Sequence, residues 1–138
     1  MEYPAINALN DFGTILFSGE NRAYFSHIDK KFGTNLRNGI PAWEEDDVPD
    51  GVYRSDGWNL ICDYTRNIEC MICTSRLDRI WIFESGDTLR HALDNSSGFE
   101  FHVFDRGANF LLAHNMDDYL IGWGESEKWV RGFGQWGP

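Results

Sequence analysis

The hydrophobic pattern starts with a helical period and changes to a strand period part-way along the chain. In "SGENRAYFSHIDKKFG" the apolar residues Phe25, Ile28 and Phe32 step by three and four, the spacing of one helix face. Ser18 suits an N-cap, Glu20 the first turn, Lys30 and Lys31 the last turn and Gly33 the stop, so a helix is predicted there. An earlier turn or two is expected from Pro4 to Leu9, which makes the first 33 residues helical in outline. Residues 34 to 57 carry Gly, Pro, Asn and Asp throughout and read as a long surface connection.

Beyond that connection the period is two. In "WNLICDYT", Trp58, Leu60, Cys62 and Tyr64 oppose Asn59, Asp63 and Thr65, which predicts a half-buried strand. "ECMICTS" and "RIWIFES" read as two more strands, joined by a polar turn from Arg76 to Asp78. "GDTLRHALDN" returns to helical spacing, with Leu89, Ala92 and Leu93 on one stripe and Ser85 or Asp87 near the cap. "FEFHVFD" then alternates Phe99, Phe101 and Val103 with Glu100, His102 and Phe104. Arg106 to Asn109 lead into "FLLAHN", and "MDD" leads into "YLIGWG", an antiparallel meander. "ESEKWVR" is predicted as a terminal helix and "GFGQWGP" as a frayed tail. The expectation is one α+β domain over residues 1–138: N-terminal helices, then a mostly antiparallel sheet of about five to six strands with one inserted helix.

Charge narrows the partner. The chain holds 22 acidic and 12 basic side chains, a formal charge of −10. Such a surface repels phosphate backbones, so direct nucleic-acid binding is not expected, whereas a basic macromolecule would be drawn in. The acids are most concentrated in "PAWEEDDVPDG", where Glu44, Glu45, Asp46 and Asp47 stand consecutively, Asp50 follows and Trp43 precedes. A solvated loop that confers solubility explains the charge but not the adjoining indole. Trp and Tyr bury large area at interfaces while keeping a polar handle, so Trp43 reads either as an interface anchor or as a plug in the core.

Candidate chemistry is thin. Cys70-Met71-Ile72-Cys73 has CxxC spacing, but it lies in a strand pattern, where positions three apart face opposite ways, and no helix follows to lower a thiol pKa. Cys62 is the third cysteine, and no second pair completes a four-ligand zinc site. All three are expected to be reduced and metal-free, and no cofactor is expected. The start "MEYPAINALNDFG" lacks a basic region and a long apolar run, and no stretch of 18 apolar residues occurs, so a cytoplasmic protein without a spanning segment is expected. His102 and His114, near Asp105, Asp117 and Asp118, hold parts of a general base, but no GxSxG, HExxH, Walker or GxGxxG pattern accompanies them. They read as half-exposed strand histidines.

The closing pattern "FHVFDRGANFLLAHNMDDYLIGWG" carries a resemblance. Phe104-Asp105, Phe110-Leu111-Leu112, Asn115 with Asp117-Asp118, and Gly122 with Gly124 resemble the small immunity proteins of bacterial polymorphic and contact-dependent toxin systems, over residues 79 to 124. That resemblance implies a cytoplasmic, non-enzymatic inhibitor of one cognate toxin domain, often a nuclease. The nine residues assigned to partner contact are Trp43, Glu44, Glu45, Asp46, Asp47, Asp50, Asp105, Asp117 and Asp118. Two other classes stay open: a small enzyme or ligand-binding domain using the His102/His114 region, and an adaptor within a larger assembly.

Overall fold

A computed structural model describes residues 6–16, 18–74, 79–96 and 99–134. Its centre is a seven-stranded sheet in which every pairing is antiparallel, in the order β1-β4-β3-β5-β6-β7-β2. The strands are β1 (Thr14–Ile15), β2 (Val52–Tyr53), β3 (Cys70–Cys73), β4 (Trp81–Phe83), β5 (Phe101–Phe104), β6 (Phe110–His114) and β7 (Tyr119–Gly124). The helices are α1 (Ile6–Phe12), α2 (Ser18–Phe32), α3 (Gly57–Tyr64), α4 (Gly86–Asp94) and α5 (Glu127–Gly134). The α+β class is as the periodicity predicts, with two short edge strands added.

Both faces of the sheet are covered. On one face Cys70, Ile72, Trp81, Phe83, Phe101, Val103, Phe110 and Leu112 meet α1, α3, α4 and α5 through Leu9, Ile61, Leu89 and Val130. On the other, Met71, Cys73, Phe104, Leu111, Ala113, Ile121 and Trp123 meet α2 through Phe25 and Ile28, and the segment after α2 through Leu36 and Ala42. The sheet is the middle of three layers, which is why β3, β5 and β6 are buried at every position. Cys70 and Cys73 fall on opposite faces, as strand alternation requires, and all three cysteines are free and buried. Burial pushes the Cys62 and Cys70 thiols up to about 12.

Several elements lie where the pattern places them. Ser85 caps α4, its hydroxyl accepting the Thr88 N–H at 3.3 Å. The terminal helix runs to Gly134, so the glycines of "GFG" continue it, while residues 135–138 lie outside the described set, as do Pro4, Trp136 and the turn from Arg76 to Asp78.

One element is corrected. Residues 57–64 form helix α3, not a strand. The strand reading weighted Trp58, Leu60, Cys62 and Tyr64, but the fully buried residues are Ile61, Cys62 and Thr65. Those lie four, five and eight residues beyond the buried Gly57, a helical stripe. Tertiary contacts decide between the two periods. Arg90 of α4 donates to the Asn59 side chain at 2.7 Å and to Asp63 at 2.6 Å, tying the polar face of α3 to α4. At the start of α4, a Cβ on Gly86 would lie 2.2 Å from the Cys62 carbonyl oxygen, so only glycine lets the two helices approach this closely.

Two substitutions test this packing. Trp81 is fully buried, with its indole N–H donated to Asn10 at 2.9 Å, and Trp81→Ala should cost about 3–5 kcal/mol in denaturant unfolding. Gly86→Ala should also destabilise sharply, because the nearest obstacle is the Cys62 carbonyl, backbone and not a movable side chain. Unfolding midpoints close to the parent in both variants would contradict the described core.

Candidate functional site

The acidic run is built into the fold from α2 onward. Asp29, 8% exposed near the end of that helix, accepts hydrogen bonds from the Thr34 hydroxyl at 2.7 Å, the Leu36 N–H at 2.8 Å and the Arg37 N–H at 3.2 Å. These bonds fold the chain into a 3-10 turn over Leu36–Asn38 and aim it across the sheet. A second 3-10 turn follows at Ala42–Glu44, behind Pro41. There the strap is pinned. Ala42 is fully buried and donates its N–H to His102 Nε2 at 3.0 Å. The half-buried Trp43 stacks on the His102 ring, 4.9 Å between centroids at an interplanar angle of 8°. Asn35 donates to Glu45 at 3.1 Å, and Val48 packs onto the same core. The strap ends by becoming β2, paired with β7.

Pinning at Ala42, Trp43, Glu45 and Val48 leaves Glu44, Asp46, Asp47 and Asp50 exposed. None of these four forms an ion pair among the described residues. The paired arginines, Arg37, Arg54, Arg66, Arg90, Arg106 and Arg131, are each held by carboxylates elsewhere. The exposed charge on the strap is therefore uncompensated.

The terminal-meander acids divide between the two ends of the sheet. Asp117 and Asp118 occupy the β6–β7 turn, at the end where β5 begins and the strap joins β2. Asp118 takes a positive φ of 64° there, and its backbone carbonyl accepts the Arg54 N–H at 2.9 Å. Asp105 sits in the β5–β6 turn at the opposite end, a strand length of roughly 14 Å away. Its carboxylate accepts the Asn109 backbone and side-chain N–H groups, each at 2.7 Å, and shapes that turn.

Aromatic residues that the sequence did not single out complete the surface. Tyr53 on β2 and Tyr119 on β7 are direct cross-strand partners, 65% and 43% exposed, with rings edge to face at 6.0 Å. Tyr119 alternates with Leu120, so it shares the face of Ile121 and Trp123, which is the face the strap crosses. The exposed anchors beside the acids are these tyrosines, while Trp43 is turned inward onto His102.

The two histidines do not share a site. His102 faces α2 and the strap; His114, paired with Phe101, faces α3 and α4. Both are buried and not half-exposed, at 0% and 6%, because helices or the strap cover each sheet face. Nε2 of His102 accepts from Ala42, so its proton resides on Nδ1, which is buried without a hydrogen-bond partner among the described residues. Burial alone lowers its pKa to about 3. His114 Nε2 lies 3.1 Å from the Arg54 carbonyl oxygen and 3.7 Å from Asp118. The carbonyl has only lone pairs, so Nε2 is the donor. A Cβ on Gly57 would lie 2.6 Å from the His114 ring, so glycine at the start of α3 lets that helix close over it.

Among the described residues, no group of three or more His, Cys, Asp or Glu converges as a metal site requires, and no helix is long and apolar enough to cross a membrane. No protein-family profile, curated protein or solved structure matches this chain.

His102 gives the site a pH signature. Its folded pKa is depressed below the ordinary 6.5, so its contribution is intact above that value and lost as pH falls toward 3, while the unfolded chain takes up the proton. Between pH 6.5 and 5 the parent should lose about 2 kcal/mol of stability on this account. His102→Gln keeps an acceptor for Ala42 and should show a correspondingly flatter stability–pH curve. Parallel curves for the two proteins would contradict the burial of a neutral His102.

Proposed function

We propose that this protein is a non-catalytic binding protein, an immunity-type inhibitor that neutralises a cognate bacterial toxin domain through the acidic strap and its tyrosines. One observation carries the reading: four exposed carboxylates that form no ion pair among the described residues sit on a strap pinned to the core beside an exposed tyrosine pair. Pinning removes most of the ordering cost that a free loop would incur on binding. Tyrosine supplies contact area at low entropic cost, and uncompensated carboxylates select a partner with a basic surface and speed its approach. A nuclease fits that description, because its cleft must hold phosphates, and a row of carboxylates occupies the same electrostatic place. Asp117 lies at the same end of the sheet and extends this surface; Asp105 is too far to join it.

The reading is tested by isolating the protein's partner by pull-down and measuring its association with the parent and with variants. The triple variant Glu44→Lys, Asp46→Lys, Asp47→Lys leaves Glu45 and its bond to Asn35 in place, and should melt as the parent does. Its association should slow by about tenfold or more at low salt, and the difference should shrink at high salt. Tyr53→Ala should act on the off-rate instead. Cells expressing the toxin should lose protection with the triple variant. Full protection together with unchanged association kinetics would contradict the assignment of this surface.

A further inference from the structure

The opposite face of the sheet holds a cavity of about 390 Å³ between the start of α3, the end of α4 and the β6–β7 turn. Its apolar wall is Trp58, Leu93, Phe99, Phe101 and Met116. Among the described residues, Asp94 and Asp118 are the lining carboxylates and no lysine or arginine lines the cavity. Asp94 forms no ion pair among the described residues, and the neighbouring Arg90 is engaged by Asp63 and Asp87. His114 also lines the cavity. Its Nε2 donates to the Arg54 carbonyl and lies 3.7 Å from Asp118, so in the neutral form of the ring Nδ1 keeps a lone pair and offers an acceptor. Ser55 and Ser96 add hydroxyls at the rim.

We infer that this cavity binds an organic cation, an ammonium or guanidinium group carried on an apolar stem. Two carboxylates, with no lysine or arginine beside them among the described residues, make an acidic lining in a partly enclosed space. Aromatic faces attract cations through their quadrupoles, and the volume is that of a small-ligand site. A bare metal ion is a poor fit, since the carboxylates and His114 do not converge to ligand distance. The group has two sources, a free amine or the basic side chain of a peptide. The site lies on the sheet face away from the strap, and the inference does not depend on the toxin-inhibitor reading.

The test is ligand titration of the full-length protein, followed by NMR of the Trp58 indole and Met116 methyl signals. Phenethylammonium stands for the free amine, acetyl-Gly-Arg-Gly-amide for the side chain, and phenethyl alcohol for the same body without charge. At least one cationic probe should bind saturably and shift both signals, about tenfold more tightly than the alcohol. Asp94→Asn with Asp118→Asn should remove most of that preference. Asn tolerates the positive φ at position 118, and a melting curve checks the fold. Tighter binding of phenethylammonium assigns a free amine, and tighter binding of the peptide assigns a side chain. Binding of the alcohol as tight as that of the better cationic probe, or no saturable shift with either cation, overturns the proposal, and the parent protein alone gives that answer.

Discussion

The hydrogen bond from the Ala42 N–H to His102 Nε2, roofed by Trp43, organises the strap-bearing half of this structure. It joins a 60-residue sequence separation at one buried point. Without it the segment from Asn35 to Gly51 would be a tether of charged residues crossing an apolar sheet face. With it, the same segment covers Ala113 and Ile121 and turns its carboxylates outward. The bond also fixes the histidine's tautomer and keeps the ring neutral, since a charged imidazole could not accept from Ala42. A charged His102 is incompatible with the pinned strap.

This arrangement resolves why like charges stand side by side next to an indole. Self-repulsion among Glu44, Asp46, Asp47 and Asp50 is tolerated because the strap is held by neutral, buried contacts on either side of the run. Trp43 does this holding from within, and Tyr53 with Tyr119 takes the outward aromatic role. Fold and charge therefore separate on the strap: apolar contacts at Ala42, Trp43 and Val48 position it, and Glu44, Asp46, Asp47 and Asp50 are left exposed.

Much of the fold was legible because its signals are local. The helix 18–32 has its stripe and terminal charges in sequence, α4 has its Ser85 cap, and the three-strand meander has alternation with turn residues between. Residues 57–64 suggest a strand in sequence because Trp58, Leu60, Cys62 and Tyr64 mimic a period of two, and the contacts that decide for a helix come from Arg90 and Gly86 on α4. The burial of His102 and His114 is hidden in the sequence for a related reason. Alternation on a strand implies one wet face only when a single layer covers the sheet, and here both faces are covered. In the candidate site the acidic run is visible in the sequence. The Tyr53–Tyr119 pair and the cavity around His114 are not, because each assembles residues from distant segments.

Amide hydrogen exchange at Ala42 tests the central claim most directly. If its N–H is donated to a buried His102, it should exchange as slowly as the amides of β5 and β6, far more slowly than those of Asp46 and Asp47 on the same strap. That protection should fall when His102 is replaced by alanine and largely persist in the glutamine variant. Exchange at Ala42 as fast as at Asp46 and Asp47 would show that the strap is not pinned, and the account of a preorganised acidic surface would be contradicted.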